Sequence, residues 1–447
     1  MKTVQARSTI PEPPFGKGVA VGRELKRVQL RMPYRPFRSA FAALTAAASA
    51  LVLTSGGVAA DKPPTPVDES TLNPTSERFH GEGPHVGART IQHWTGETTN
   101  PADGVTYSYS MVGVDPASNG AASIDVDIVP INVTVGGRAF NGSDVIPAVL
   151  ASPLFQTGDY SITSAASTSA GGRGSGGALS AGNVDVQLLD ATMRSQFNKV
   201  GSDYHLYLTP TVRRPVTIDV PAAYGTVLIS PRAIAIAAVD ETWFPPRVEA
   251  LNASLHYLQP HRLAIFITND VMLYMDHIPT HCCVFGAHGA TDTTAEGNGS
   301  DGRQSLQTFV WASWMTAGFF RPAGNWAKQD ISGLSHEIAE WADDPFGTNT
   351  VASWLSPAAP QYGCNNLLET GDPTVNIGFS SGVNTYDQNA FTDGTYHPQD
   401  EAFLSWFMRT APNHDSQPTQ SDSTAGRYTF MGELNPFSYF HQPPATC

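Results

Sequence analysis

Ser335-His336-Glu337-Ile338-Ala339-Glu340 is the stretch on which the fold turns. It lies in a segment that reads as helix after Trp326 and through Asp343, and Pro345 stops it, because proline lacks an N–H and clashes with the preceding turn. Asp330 fits the N-cap, where a short carboxylate accepts from free N–H groups of the first turn. At about 100° of rotation per residue, Ile331, Leu334, Ile338 and Ala342 gather into one apolar stripe. His336, Glu337 and Glu340 cluster on the opposite side. His336 and Glu340 are one turn apart and about 40° out of line, so an imidazole and a carboxylate reach the same point. The apolar stripe needs a sheet to lie on.

The surrounding chain supplies strands for that sheet. Leu263-Ala264-Ile265-Phe266-Ile267 is an unbroken apolar run, the mark of a central strand. Cys282 to Gly286 and Thr308 to Ala312 are its expected neighbours, with a polar loop at 290–304 between them. Further back, Ser123 to Val135 alternates Ile124, Val126, Ile128, then Ile131 and Val133, the period of a half-buried strand. Residues 162–183, rich in Ser, Gly and Ala, read as a loop, and Val184 to Val200 as a helix with Leu188, Leu189, Met193 and Phe197 on one side. Tyr204–Leu208 and Val216–Val220 are short strands bounded by Pro and Gly, and Asp400 to Met408 a late helix. Strands and helices in this order predict an α+β fold, helices packed on one face of a mixed sheet, over a single domain at 106–447 with a β-rich N-terminal part. Residues 61–105, rich in Pro, Thr, Asp and Gly, are expected to be an extended lead-in or pro-segment.

The N-terminus speaks for export. Nine Lys or Arg stand in residues 1–38 against Glu12 and Glu24, then comes an Ala-rich apolar run from Ala40 to Leu53, then Val58-Ala59-Ala60 before Asp61. These are the parts of a signal peptide over 1–60, and Met32 would open a more compact one. A membrane anchor would need about 20 predominantly apolar residues, and Thr45, Ser49, Thr54 and Ser55 interrupt this run. The whole chain carries 26 basic and 40 acidic residues, a net charge of −14, and cleavage makes the remainder more acidic still. Such a surface repels nucleic-acid backbones and anionic membranes, so neither is an expected partner. Four cysteines, Cys282, Cys283, Cys364 and Cys447, predict disulfides in an oxidising compartment. Adjacent cysteines are poorly placed to bond each other, so bridges are expected from the 282–283 pair to Cys364 and to Cys447.

The helical motif carries the chemistry. Zinc takes imidazole nitrogen and carboxylate oxygen, and a catalytic zinc keeps three protein ligands with a place for water. A His and a second ligand at i and i+4 with Glu beside the first is the mechanical logic of H-E-x-x-H enzymes, here with Glu340 in the last place. Glu369, beside Leu367 and Leu368, is the expected third ligand, with Asp372, Asp344 and His397 in reserve. Glu337 is the general base, and His397 or Tyr396 would steady the developing oxyanion. The competing reading of the motif is a solvated polar face. A serine hydrolase is set aside, because Gly333-Leu334-Ser335-His336-Glu337 lacks the second glycine of a nucleophile elbow.

Ser335 to Glu340 followed by Asp343-Asp344-Pro345 resembles the S-H-E-x-x-E and D-P signature of a group of secreted bacterial proteins similar to zincin-type metallopeptidases. Ser152-Pro153-Leu154-Phe155-Gln156, Tyr204-His205-Leu206, Cys283 through Gly289, Leu368 through Pro373 and Tyr396 through Asp400 also resemble blocks of that group. The resemblance implies a zincin-like fold with an active-site helix and a secreted zinc-dependent hydrolase acting on peptides or proteins. Gly286-Ala287-His288-Gly289 and Asp344-Pro345-Phe346-Gly347 also resemble the plant EXORDIUM family of cell-wall proteins, which lacks the H-E pair. The alternative it implies is a non-catalytic extracellular or cell-wall-associated binding protein on the same scaffold.

Overall fold

Alternating and unbroken apolar runs make strands here, and their faces decide where the helices lie. In chain order the strands are β1 (His93–Thr99), β2 (Thr106–Val112), β3 (Ala121–Val135), β4 (Arg138–Asn141), β5 (Gly158–Asp159), β6 (Val184–Val186), β7 (His205–Val212), β8 (Val216–Val220), β9 (Gly225–Ile229) and β10 (Ala235–Asp240). Then follow β11 (Leu263–Asn269), β12 (Val271–Tyr274), β13 (Cys282–Val284), β14 (Gly286–Asp292), β15 (Leu306–Trp314), β16 (Thr350–Leu355) and β17 (Cys364–Leu367). The α-helices are α1 (Ile146–Leu150), α2 (Leu188–Gln196), α3 (Pro245–Ser254), α4 (Ser332–Asp343) and α5 (Leu404–Phe407). The structure is a computed structural model. It describes Pro84, Gly87 and the chain beyond, except 161–183, 231, 280–281, 294–302, 320–328, 358–359, 361–362, 376, 387–388, 414–427, 433–439, 441 and 445–446. The signal segment, most of the lead-in, the loop at 162–183 and most of the loop at 290–304 lie outside the described residues.

The fold is α+β. The main sheet runs β14-β15-β11-β3, with β7 and β8 on the far side of β3 and β4 extending the pairing of its C-terminal half. β11 pairs in parallel with both β3 and β15, while β14 is antiparallel to β15. The sheet is therefore mixed, and the unbroken apolar strand is central, as the sequence implies. A smaller sheet, β13-β12-β10-β9, stands apart. Cys282–Val284 belongs to it through β12 and does not neighbour β11; the chain breaks at Phe285, and only Gly286 onward joins the main sheet.

Helices cover both faces of the main sheet, not one. Ile124, Val126, Ile128, Ile265, Ile267 and Val310 share a core with Leu188 and Met193 of α2 and Leu334 and Ile338 of α4. Val129, Ile131, Val133, Phe266, Phe309 and Trp311 share the other with Val248 of α3. Successive strand residues point to opposite faces, so a strand apolar at every position must be covered twice. That also corrects the half-buried reading of β3, which is buried on both faces from Val126 to Ile131.

Several boundaries move. The lead-in ends sooner than expected, since β1 forms a hairpin with β2. The expected helix at 184–200 begins with a strand, and only 188–196 is helical. The late helix shrinks to Leu404–Phe407. Cys364 bonds Cys447, at a Cα separation of 6.1 Å, which overturns the expected bridges from the 282–283 pair to those two cysteines; Cys283 is itself disulfide-bonded. Among the described residues no helix is long and apolar enough to cross a membrane.

Candidate metal centre

Helix α4 is buried all round. Ile331, Leu334, Ile338, Trp341 and Ala342 enter the core, and the polar side is covered too: Glu337 is 6 % and Glu340 3 % exposed. A solvated face would leave those carboxylates in water, so that reading fails. The helix packs on β14 and β15, and β14 supplies the residue that sequence reasoning missed as a ligand. Gly286 and His288 are two apart on one strand and face the same way. A Cβ on Gly286 would overlap Glu337 Cγ and stand 2.5 Å from its Oε1, so this glycine makes room for Glu337. The His288 ring lies beside it, Nδ1 3.3 Å from Glu337 Oε2 and 3.5 Å from Glu340 Oε2.

The other wall is the segment 368–372. Leu368 is fully buried and anchors it, as its sequence suggests. Gly371 and Asp372 donate backbone N–H groups to Glu340 Oε1 at 3.1 and 3.2 Å. This leaves Glu340 Oε2 facing His336 Nε2 at 3.0 Å. A Cβ on Gly371 would stand 2.5 Å from His336 Nδ1, so the backbone there lies directly against the imidazole. Asp372 Oδ1 lies 3.9 Å from His336 Nε2, and Glu337 Oε1 3.8 Å from it. Glu369 is in the same cluster but turned to His288, its Oε2 3.8 Å from Nε2.

Donor atoms close enough to share an ion form two groups, His288–Glu337–Glu340 and His336–Glu340–Asp372, each within 4.8 Å. The first is wholly buried and could hold a metal ion. The donor chemistry fits, since imidazole and carboxylate suit zinc and several neighbouring metals. His288 Nε2 is buried with no hydrogen-bond partner, a cost that proteins seldom leave standing; it faces Glu369 at 3.8 Å, while Nδ1 faces Glu337 and Glu340.

Electrostatics repeat the point. Burial alone would lower His288, but Glu369, then Glu337 and Glu340, raise it well above its ordinary value. His336 behaves alike, with Glu340 outweighing burial. Burial would raise Glu340, yet the charge of His336 and hydrogen bonds from both imidazoles hold it well below the carboxylate range. Burial pushes Glu337 up and Glu369 far up. Burial and the charge of Glu340 bring Asp372 to about 7, although its side chain is 38 % exposed and water screens part of that shift. Glu401, also overlooked in the sequence, is buried with neither carboxylate oxygen hydrogen-bonded.

The expected oxyanion residues stand elsewhere. His397 Nδ1 lies 2.6 Å from Asp330 Oδ2, its backbone N–H donates to Asp330 Oδ1, and Nε2 is 3.3 Å from Asp393. It is a fully buried pin, and its role is positioning. Tyr396 donates its hydroxyl to the Ala148 carbonyl at 2.9 Å. Asp330 is accordingly no N-cap: Ile331 occupies that position without a side-chain bond. Gln399, two residues after the pin, reaches the centre, its amide donating to Gly371 O at 2.7 Å and lying 2.9 Å from His336 Nδ1. Asp344 accepts from Thr348 and Asn349 N–H groups and closes the turn after α4. No family model, curated protein or solved structure matches the chain.

Proposed function

We propose that this protein is a secreted zinc-dependent hydrolase acting on peptide bonds. The observation that carries this reading is the i, i+4 pair of a partly buried His336 and a buried Glu340, 3.0 Å apart, with Glu337 beside it. His336, Glu340 and Asp372 would hold the ion, Asp372 taking the place expected of Glu369. The partly exposed side chain of Asp372 marks the side open to substrate. Bound zinc supplies Lewis acidity and lowers the pKa of its water toward ~7. Glu337 is the base: burial raises its pKa, which suits a carboxylate that must take a proton near neutrality and return it to a leaving amine. Gly286 keeps its side chain in place. Export rests on the N-terminal signal pattern, and the Cys364–Cys447 bridge accords with an oxidising compartment.

The depth of His288 and Glu340, with side chains 5 % and 4 % exposed, favours a second reading, a structural ion in a non-catalytic binding protein. Glu337→Gln separates the two. As a base its loss should cut hydrolysis of a peptide library by about 10²–10⁴ while the ion on His336, Glu340 and Asp372 stays bound. His336→Ala should lose that ion and turnover together. Equal turnover by wild type and Glu337→Gln, or no turnover by zinc-loaded wild type, overturns the hydrolase reading.

A further inference from the structure

We propose that the cluster binds two divalent cations sharing Glu340, the second on His288, Glu337 and Glu340. This goes beyond the hydrolase reading and rests on it only for the first ion, at His336. The two donor groups are separate sets with Glu340 alone in common, and no group contains both imidazoles.

Three observations point to the second ion. Spacing is the first. Two donors about 2.0–2.2 Å from one ion stand about 3.3–3.6 Å apart at tetrahedral angles. His288 Nδ1 is 3.3 Å from Glu337 Oε2 and 3.5 Å from Glu340 Oε2, whereas a charge-assisted hydrogen bond closes to about 2.7–2.9 Å. Orientation is the second. A ligating imidazole commonly turns its other nitrogen to a carboxylate, and the unpartnered His288 Nε2 faces Glu369 at 3.8 Å. With Nδ1 on an ion, Nε2–H has its acceptor waiting. Charge is the third. Glu337, Glu340, Glu369 and Asp372 surround two imidazoles; one divalent ion would leave the ionised set two charges negative, and two ions balance it. Glu337 meets the second ion through Oε2 and keeps Oε1 on the His336 side.

The test counts ions. Full-length secreted protein, stripped with chelator and dialysed against buffered Zn²⁺, is assayed for zinc per chain by mass spectrometry and calorimetric titration. Two per chain are expected for wild type, one for His288→Ala, one for Asp372→Asn and none for Glu340→Ala, with near-UV circular dichroism confirming each fold. Mn²⁺ loaded in place of zinc should show spin coupling between two ions in wild type, a readout that needs no variant. One zinc per chain in saturated wild type, or an unchanged count in His288→Ala, overturns the proposal. A single ion lost in His336→Ala leaves the hydrolase reading intact, and no ion at all ends both.

Discussion

At the scale of single residues, the centre depends on two residues that lie against the His336 ring, Gln399 and Gly371. The Gln399 amide touches Gly371 O and His336 Nδ1. With its nitrogen on Nδ1, a neutral ring carries its proton on Nε2, toward Glu340. A cation at Nε2 needs that proton on Nδ1 instead, so the amide must leave the Gly371 carbonyl, to which the same nitrogen donates, before its oxygen can meet the ring. Gln399 is thus the group that fixes the imidazole's tautomer. Gln399→Ala should weaken zinc binding about 10- to 100-fold by competition with a chelating dye; unchanged affinity would show the amide to be a bystander. Gly371→Ala tests the opposite wall. Its Cβ would stand 2.5 Å from His336 Nδ1, so the ring must swing away from Glu340. Zinc should be lost although no ligand was changed, as measured by metal content of the folded variant.

At the scale of elements, α4 is held at its start by a pair that sequence reading assigned to other tasks. Asp330 bonds His397 through both ring and backbone, and His397 continues to Asp393. An N-cap lost to alanine costs about 1 kcal/mol. Removing one partner of a buried ion pair costs about 3–5 kcal/mol, and Asp330→Ala should show the larger loss in urea unfolding. A loss near 1 kcal/mol would return Asp330 to the role of cap. The error is instructive. A helix's period puts His336 and Glu340 on one face from local rules alone, and the unbroken run at 263–267 announces a buried strand. Partners distant in sequence leave no such trace. His288 sits on a strand 48 positions before His336, and its one hint is the two-residue spacing from Gly286 that shares a strand face. The turning of Glu369 to His288, and of Cys364 to Cys447, depends on how loops return to the sheet, which periodicity does not encode.

At the scale of the whole molecule, the cluster should make stability depend on pH in opposite senses with and without metal. Burial brings Asp343 to about 7 and Asp344 to about 6, against the bonds they receive from Gln196 and from Thr348 and Asn349. A carboxyl raised in the folded state stabilises while protonated. That contribution is full below the unfolded value near ~4 and is lost as pH rises through about 6 to 7. His288 and His336, raised by their acids, act in the same sense, losing stability as pH climbs past ~6.5 toward their folded values. Glu340 opposes them, but its contribution is already complete above ~4.5. Between pH 5 and 8 the sum therefore has one sign: chelator-treated protein should melt at progressively lower temperature as pH rises. Zinc reverses the trend, because its ligands must shed protons to bind it, so the gain in melting temperature on adding zinc should grow across the same interval. Scanning fluorimetry at half-unit steps, with chelator and with zinc, measures both curves. A metal-free melting temperature that rises steadily to pH 8 would mean that the buried acids are already compensated by the protein, and the case for a cation would lose its electrostatic ground.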